Sequence, residues 1–213
     1  MDNISIIIRN RNEAEFIGFA IQSCLDFFSK PEIIIMDNNS NDDSLEVVQY
    51  FNDITSIQIE NVSNYRPGQS INQGVRKSKN DYILILSAHT QIIDLDFDLI
   101  KKDLDKHLAV FGKQIPIYRG KKITPRYIWS NFTDKQEINK FSSIENRQFL
   151  HNAFCFYKKD TLLKFPMPEK YAGKEDRYWA KEIVSLNHTF LYQPNIVCNH
   201  FFTKNGATWK GLG

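Results

Sequence analysis

Asp81-Tyr82-Ile83-Leu84-Ile85-Leu86-Ser87-Ala88-His89-Thr90 is an apolar run that stops abruptly at small and polar side chains. Its five consecutive large apolar residues are too few for a buried helix and predict a central strand covered on both faces. Ligands of open α/β sheets gather beyond the carboxyl ends of the strands, and a strand ending in Ser87-Ala88-His89 delivers an imidazole to that edge. Taken alone, His89 reads equally well as a loop histidine. The sequence on either side decides.

Upstream, Ser5-Ile6-Ile7-Ile8 and Ile33-Ile34-Ile35-Met36 are runs of the same kind, each followed by a polar turn. Between them Phe16, Ile17, Ala20, Ile21, Cys24, Leu25 and Phe28 recur at helical spacing, with Asn12 as the expected cap and Lys30-Pro31 as the stop. Ser40 and Asp43 have the spacing of a capping box for a second helix carrying Leu45, Val48 and Phe51. This order of strands and helices predicts a parallel sheet with right-handed crossovers. A short strand over 57–60 and a helix over 70–78, after the Pro67-Gly68 turn, precede the opening strand. After it, Asp96 caps a helix bearing Phe97, Ile100, Leu104 and Leu108, and Val110-Phe111 starts another strand.

From Gly112 to about Ile144 the periodicity fails, which predicts a long irregular excursion of the kind that often carries function. Lys113, Arg119, Lys121, Lys122 and Arg126 fall within it without a carboxylate among residues 113–126, a local excess suited to phosphates or an anionic membrane surface, or simply a solvated basic face. Beyond it, 149–157 reads as an edge or mixed strand and 174–186 as a helix opened by Glu175 and Asp176. Residues 189–192 and 196–198 form a final strand pair. Carboxylates in a first helical turn are favoured by the helix dipole, so capping explains the acidic pair as readily as chemistry does.

The 213 residues suit one domain, large enough to bury a core without disulfides or metals. A net charge of +2 demands no nucleic acid as partner. Cys24, Cys155 and Cys198 are odd in number and widely spaced, which argues against a disulfide framework or zinc site and fits a reducing cytoplasm. Met1-Asp2-Asn3 lacks a basic n-region, and no apolar stretch approaches the roughly 18 to 20 residues that span a bilayer. A soluble, cytoplasmic chain is expected.

No Gly-x-Gly-x-x-Gly follows the first strand and no P-loop motif occurs, which removes the two commonest nucleotide-binding loops. Instead, the ordered set Ser5 to Glu13, Ile34 to Asp42, Asn72-Gln73-Gly74 and Tyr82 to His89 resembles family 2 glycosyltransferases of the GT-A fold. The second half continues the match. Gly112-Lys113-Gln114-Ile115-Pro116, Asn152-Ala153, Lys174-Glu175-Asp176-Arg177-Tyr178-Trp179-Ala180, Tyr192-x-Pro194 and Val197-Cys198-Asn199-His200 resemble the rhamnosyltransferase-like subgroup.

The resemblance implies an α/β GT-A domain spanning 1–213, with a mostly parallel central sheet, helices on both faces and a small acceptor-side subregion. Residues 1–111 would form the nucleotide-sugar-binding half and 112–213 the acceptor half. It implies an inverting transfer of a sugar from a nucleotide diphosphate donor, a UDP- or dTDP-sugar, to a hydroxyl of a glycan or lipid-linked acceptor in surface polysaccharide biosynthesis. Arg9, Asn10, Arg11, Asn12, Glu13, Asp37, Asn72, Ser87, Ala88 and His89 fall at the donor positions, and Gln114, Asn152 and Trp179 at the acceptor positions. Asp176 is expected as general base, with Glu175 orienting the acceptor or exchanging roles with it. Most relatives carry Asp-x-Asp where this chain has Ser87-Ala88-His89, although the subgroup tends to share the change. Losing two carboxylates weakens a hard-cation site and leaves two outcomes: a divalent ion, Mn²⁺ or Mg²⁺, held by His89, His200 and the donor diphosphate, or basic side chains that neutralise the leaving diphosphate without metal. The rivals are a sugar-phosphate nucleotidyltransferase, whose Gly-rich loop is missing here, and a non-catalytic nucleotide- or glycan-binding module of the same fold.

Overall fold

A computed structural model describes residues 2–123, 127–204, 206 and 209. The chain opens with β1 (Ile4–Asn10), α1 (Ile17–Phe27), β2 (Glu32–Asp37), α2 (Ser44–Gln49), β3 (Ile57–Asn61), α3 (Pro67–Lys77) and β4 (Tyr82–Ser87), the alternation expected. β5 (Thr90–Asp94), α4 (Phe97–Leu104), β6 (Ala109–Tyr118) and β7 (Lys121–Lys122) follow. A 3₁₀ turn over Tyr127–Asn131 leads into three two-residue strands, β8 (Glu137–Ile138), β9 (Phe141–Ser142) and β10 (Arg147–Gln148). β11 (Phe154–Lys158), α5 (Lys159–Lys164), α6 (Glu175–Ser185) and β12 (Leu191–Phe201) complete it.

The main sheet runs β3-β2-β1-β4-β11-β6-β12-β5, with β1, β2, β3 and β4 mutually parallel where they pair, and β6 parallel to β12. Successive strand residues point to opposite faces, so the apolar runs feed two cores. Ile4, Ile6, Ile8, Ile33, Ile35, Leu84 and Leu86 pack with Ala20 and Ile21 of α1, Val48 of α2 and Ile100 of α4. Ile7, Ile34, Met36, Ile83 and Ile85 pack on the other face with Ile71 and Val75 of α3, Leu162 of α5 and Trp179, Ala180 and Ile183 of α6. The parallel strands therefore end on a common edge, where Asn10, Asp37 and Ser87 lie.

Several local expectations are corrected. α1 has no side-chain cap; Asn12 sits at φ 52° and accepts instead from the Asn41 N–H at 2.8 Å. Ser40 does not cap α2, because its hydroxyl serves Asp37 and Asn12, and the helix starts after Asp43. α3 begins at Pro67, where a proline costs no hydrogen bond, rather than at Ser70. The segment after Gly112 is strand as far as Tyr118. Of the two readings of 149–157, edge or mixed, the structure has the mixed one and starts it at Phe154: β11 is antiparallel and central between β4 and β6. The final pair is one strand, β12, with a register shift between Gln193 and Val197, and β5 and α5 were not foreseen. Arg126 of the basic segment lies outside the described residues. The three cysteines are buried and unpaired, and no helix among the described residues is long and apolar enough to cross a membrane.

Candidate active site

A cavity of about 1430 Å³ opens at the carboxyl edge of the parallel strands. Asparagine takes the left-handed conformation more readily than most residues, and it does so beyond each of the first three strands, at Asn12, Asn39 and Asn64 (φ 52°, 49° and 54°). The turns they make bring Asn10, Arg11, Asn39 and Asn64 to one rim. Of the sequence-derived donor residues, Arg9, Asn10, Arg11, Glu13, Ser87 and His89 line the cavity. Asn12, Asp37, Asn72 and Ala88 do not. Asp37 is 1% exposed and accepts from Asn10 Nδ2 at 2.9 Å, the Ser40 hydroxyl at 2.6 Å and the Ser40 N–H at 3.0 Å, so it holds the rim from behind. Asn10 also donates to Ser44, while its own Oδ1 has no partner among the described residues. Asn72 is buried where it clasps both backbone groups of Met167, and Ala88 belongs to the core.

On the opposite wall α6 starts at Lys174, which takes a left-handed φ of 66° and leaves Glu175 and Asp176 in the first turn. Glu175 accepts from Arg9 Nη1 at 3.0 Å, and Arg9 Nη2 reaches the Asn152 carbonyl at 3.1 Å, tying the end of β1 to α6. Burial pulls the Arg9 guanidinium down, but Tyr65, Glu175 and Asp176 raise it above its ordinary value, so it stays charged. Burial and the neighbouring Asp176 raise Glu175, against the pull of Arg9. Burial raises Asp176 too, against Arg147, Arg177 and Arg9. Asp176 accepts from the Arg177 N–H at 2.7 Å and distantly from the Asn152 N–H at 3.5 Å, and lines the cavity without an ion-pair partner at contact distance among the described residues. Beside it, Glu145 bridges Arg147 at 2.7 Å and Arg177 at 2.8 Å.

Of the acceptor residues, Asn152 lines the cavity, accepts from the Tyr157 hydroxyl at 2.6 Å and faces Glu175. Trp179 is corrected to a core residue: it is 1% exposed, donates to the Phe165 carbonyl at 2.7 Å and packs edge-on against Tyr157. Gln114 is buried behind the cavity between His151 and His200. Of the two imidazoles expected at the metal, His89 lines the cavity and His200 is fully buried behind it, their ring centroids 4.8 Å apart. His89 Nδ1 is 3.2 Å from Glu13 Oε1, a close polar contact without hydrogen-bond alignment. Among the described residues no three His, Cys, Asp or Glu side chains converge as a metal cage.

The cavity also takes residues that the sequence did not single out: Tyr65, Arg66, Glu145, Arg147, His151 and Arg177. Arg177 lies inside the 174–180 motif and His151 adjoins Asn152, which was the available signal. Glu145 and Arg147 lie in a stretch without periodicity and arrive by the tertiary fold alone.

A mostly parallel sheet with such a cavity at its carboxyl edge, and a buried carboxylate pair on the far wall, is the architecture of the GT-A fold. The chain belongs to glycosyl transferase family 2, whose sequence profile matches residues 5–165. The poly-beta-1,6-N-acetyl-D-glucosamine synthase of Staphylococcus epidermidis is 26% identical over 237 residues, covering 99% of this chain and 53% of the relative. The chain thus spans about half the length of that curated relative. S. aureus TarS 1-349, solved in complex with UDP-GlcNAc, superposes with a TM-score of 0.70 at 15% identity, over 98% of this chain and 61% of that one. GalNAc-T7, solved with UDP, GalNAc and Mn²⁺, gives 0.70 at 15% identity, over 95% and 44%.

Proposed function

We propose that the chain moves a sugar from a nucleotide diphosphate donor to a hydroxyl of a glycan or lipid-linked acceptor, with inversion, in polysaccharide synthesis. The observation that carries this is the division of labour between Glu175 and Asp176. Glu175 is held by Arg9, whereas Asp176 keeps a carboxylate at the cavity wall with a raised proton affinity. A base works best when its pKa approaches the working pH, so Asp176 removes the proton from the acceptor hydroxyl as it attacks the anomeric carbon. Attack comes from the wall opposite the nucleotide, which inverts configuration. The unpartnered Oδ1 of Asn10 is an acceptor for an N–H or hydroxyl of the nucleotide, and Arg11, at the same rim, is a cation for its diphosphate.

A UDP-sugar is the first donor to test, because TarS was solved with UDP-GlcNAc; the rhamnosyl reading rests on sequence motifs alone. A divalent ion fits only in part. His200 Nε2 is buried and unpartnered among the described residues and would suit Mn²⁺ more than Mg²⁺, with His89 and the donor diphosphate as the other groups that would hold the ion, although His200 itself does not line the cavity. Such an ion would offset the charge on the leaving diphosphate. Arg119, Lys121 and Lys122 are exposed and offer an anionic membrane surface a docking face, whereas Lys113 is paired with Asp134.

The test is donor turnover by purified protein over a panel of UDP- and dTDP-sugars, with and without EDTA. Release of nucleoside diphosphate from one donor, lost in Asp176→Asn, supports the proposal. Pyrophosphate release from a nucleoside triphosphate, or binding without turnover for every donor, rejects it.

A further inference from the structure

Gln114 lies between two buried histidines and hydrogen-bonds to both. Its Nε2 is 3.1 Å from His151 Nδ1, and its Oε1 is 2.8 Å from His200 Nδ1. A third contact settles which way the amide points. The Ala153 N–H lies 3.4 Å from His151 Nδ1 and donates to it, so that nitrogen carries a lone pair and any second partner must also be a donor. The amide NH₂ therefore faces His151, and its carbonyl oxygen is left for His200. An oxygen there requires the proton on His200 Nδ1, and a neutral imidazole has only one N–H. His200 Nε2 is then a bare lone pair, and this is the atom with no partner among the described residues. Trp129 and His89 wall it, with ring centroids 4.9 and 4.8 Å from that of His200. A second proton, on Nε2, would be a buried donor with no acceptor among the described residues, so the ring is neutral.

We propose that Gln114 is a positioning residue that fixes both histidines as single tautomers, His151 protonated on Nε2 and His200 on Nδ1. The consequence for catalysis rests on the metal reading above: the Nε2 lone pair of His200 is held ready for a cation bound with the donor diphosphate. Imidazole ligands elsewhere are oriented in this way by the partner of their other nitrogen, and loss of that partner costs about 10- to 100-fold in metal affinity.

Two measurements test it. Long-range proton–nitrogen correlation spectra of ¹⁵N-histidine protein, without metal, read the tautomers. Mn²⁺ binding in the presence of UDP, followed by the electron paramagnetic resonance of free Mn²⁺, reads the consequence. Wild type should show His200 protonated on Nδ1 and His151 on Nε2. Gln114→Leu should spread His200 over both tautomers and weaken Mn²⁺ binding about 10-fold or more. Gln114→Glu keeps an acceptor for His200 and removes the donor to His151, so His200 should hold its tautomer and Mn²⁺ affinity should stay within about threefold of wild type. Equal loss in both variants would mean that the acceptor offered to His200 does not set the affinity and would overturn the positioning role, as would His200 protonated on Nε2 in wild type. Should neither variant fold, the wild-type spectrum still decides. Wild type with the expected tautomers but no Mn²⁺ binding would overturn the metal reading and leave the positioning role standing.

Discussion

Glu175 and Asp176 are neighbours in sequence with opposite expected mutational signatures. Glu175 balances the buried charge of Arg9, so Glu175→Ala strands a guanidinium and should cost about 3 to 5 kcal/mol of stability, measurable by urea denaturation. Asp176 has a folded pKa raised above its unfolded value of about 3.9, so it binds its proton more tightly in the folded state. Its contribution to stability is present at low pH and is lost as pH rises from that unfolded value through the folded one. At neutral pH the ionised carboxylate is thus a net cost, and Asp176→Asn should raise the melting temperature while lowering turnover by about 10²- to 10⁴-fold. The same shift places the acid limb of the pH–rate profile above the ordinary aspartate range, with activity lost as pH falls through it. A limb at or below pH 4 would remove Asp176 as the base.

The elements nearest the site show what could be read from sequence. Apolar runs such as 6–8, 33–36 and 82–86 announced β1, β2 and β4, because strands buried on both faces carry few polar residues to confuse the pattern. Their turns were legible as cavity-edge positions but not in detail: Asp37 was expected to meet the ligand and instead holds Asn10 and Ser40. Asp37→Ala should therefore lower stability by about 1 to 3 kcal/mol, since it strands buried donors, and should weaken nucleotide binding only through Asn10. Unchanged stability with lost nucleotide affinity would put Asp37 back in direct contact. β6 was read as an irregular excursion from Gly112 because the polar, basic and aromatic residues from there on follow no clear period. A Cβ there would lie 2.5 Å from the Phe154 ring and 2.7 Å from the Ile196 carbonyl, at the register shift of β12, so the strand needs a residue without one. Gly112→Ala should cost at least the 1 to 3 kcal/mol or so usual for overpacking, read from thermal unfolding. Trp179 was misplaced for a related reason: helical spacing marks a buried face but not whether core or ligand covers it.

At the scale of the molecule, two apolar cores hold the sheet rigid, while the cavity at its edge is lined by arginines and carboxylates from both halves of the sequence. A ligand spanning that cavity should tie the halves together, and a donor at 100 times its dissociation constant adds about 2.7 kcal/mol to the unfolding free energy. The central claim is that a nucleotide sugar binds at this edge and is attacked from the Asp176 wall. It is tested most directly by following the anomeric configuration of the freshly formed product by proton NMR, with the best α-linked UDP-sugar as donor. The account predicts a β-configured product from the wild-type protein and none from Asp176→Asn; an α-configured product, or undiminished transfer by Asp176→Asn, would contradict it.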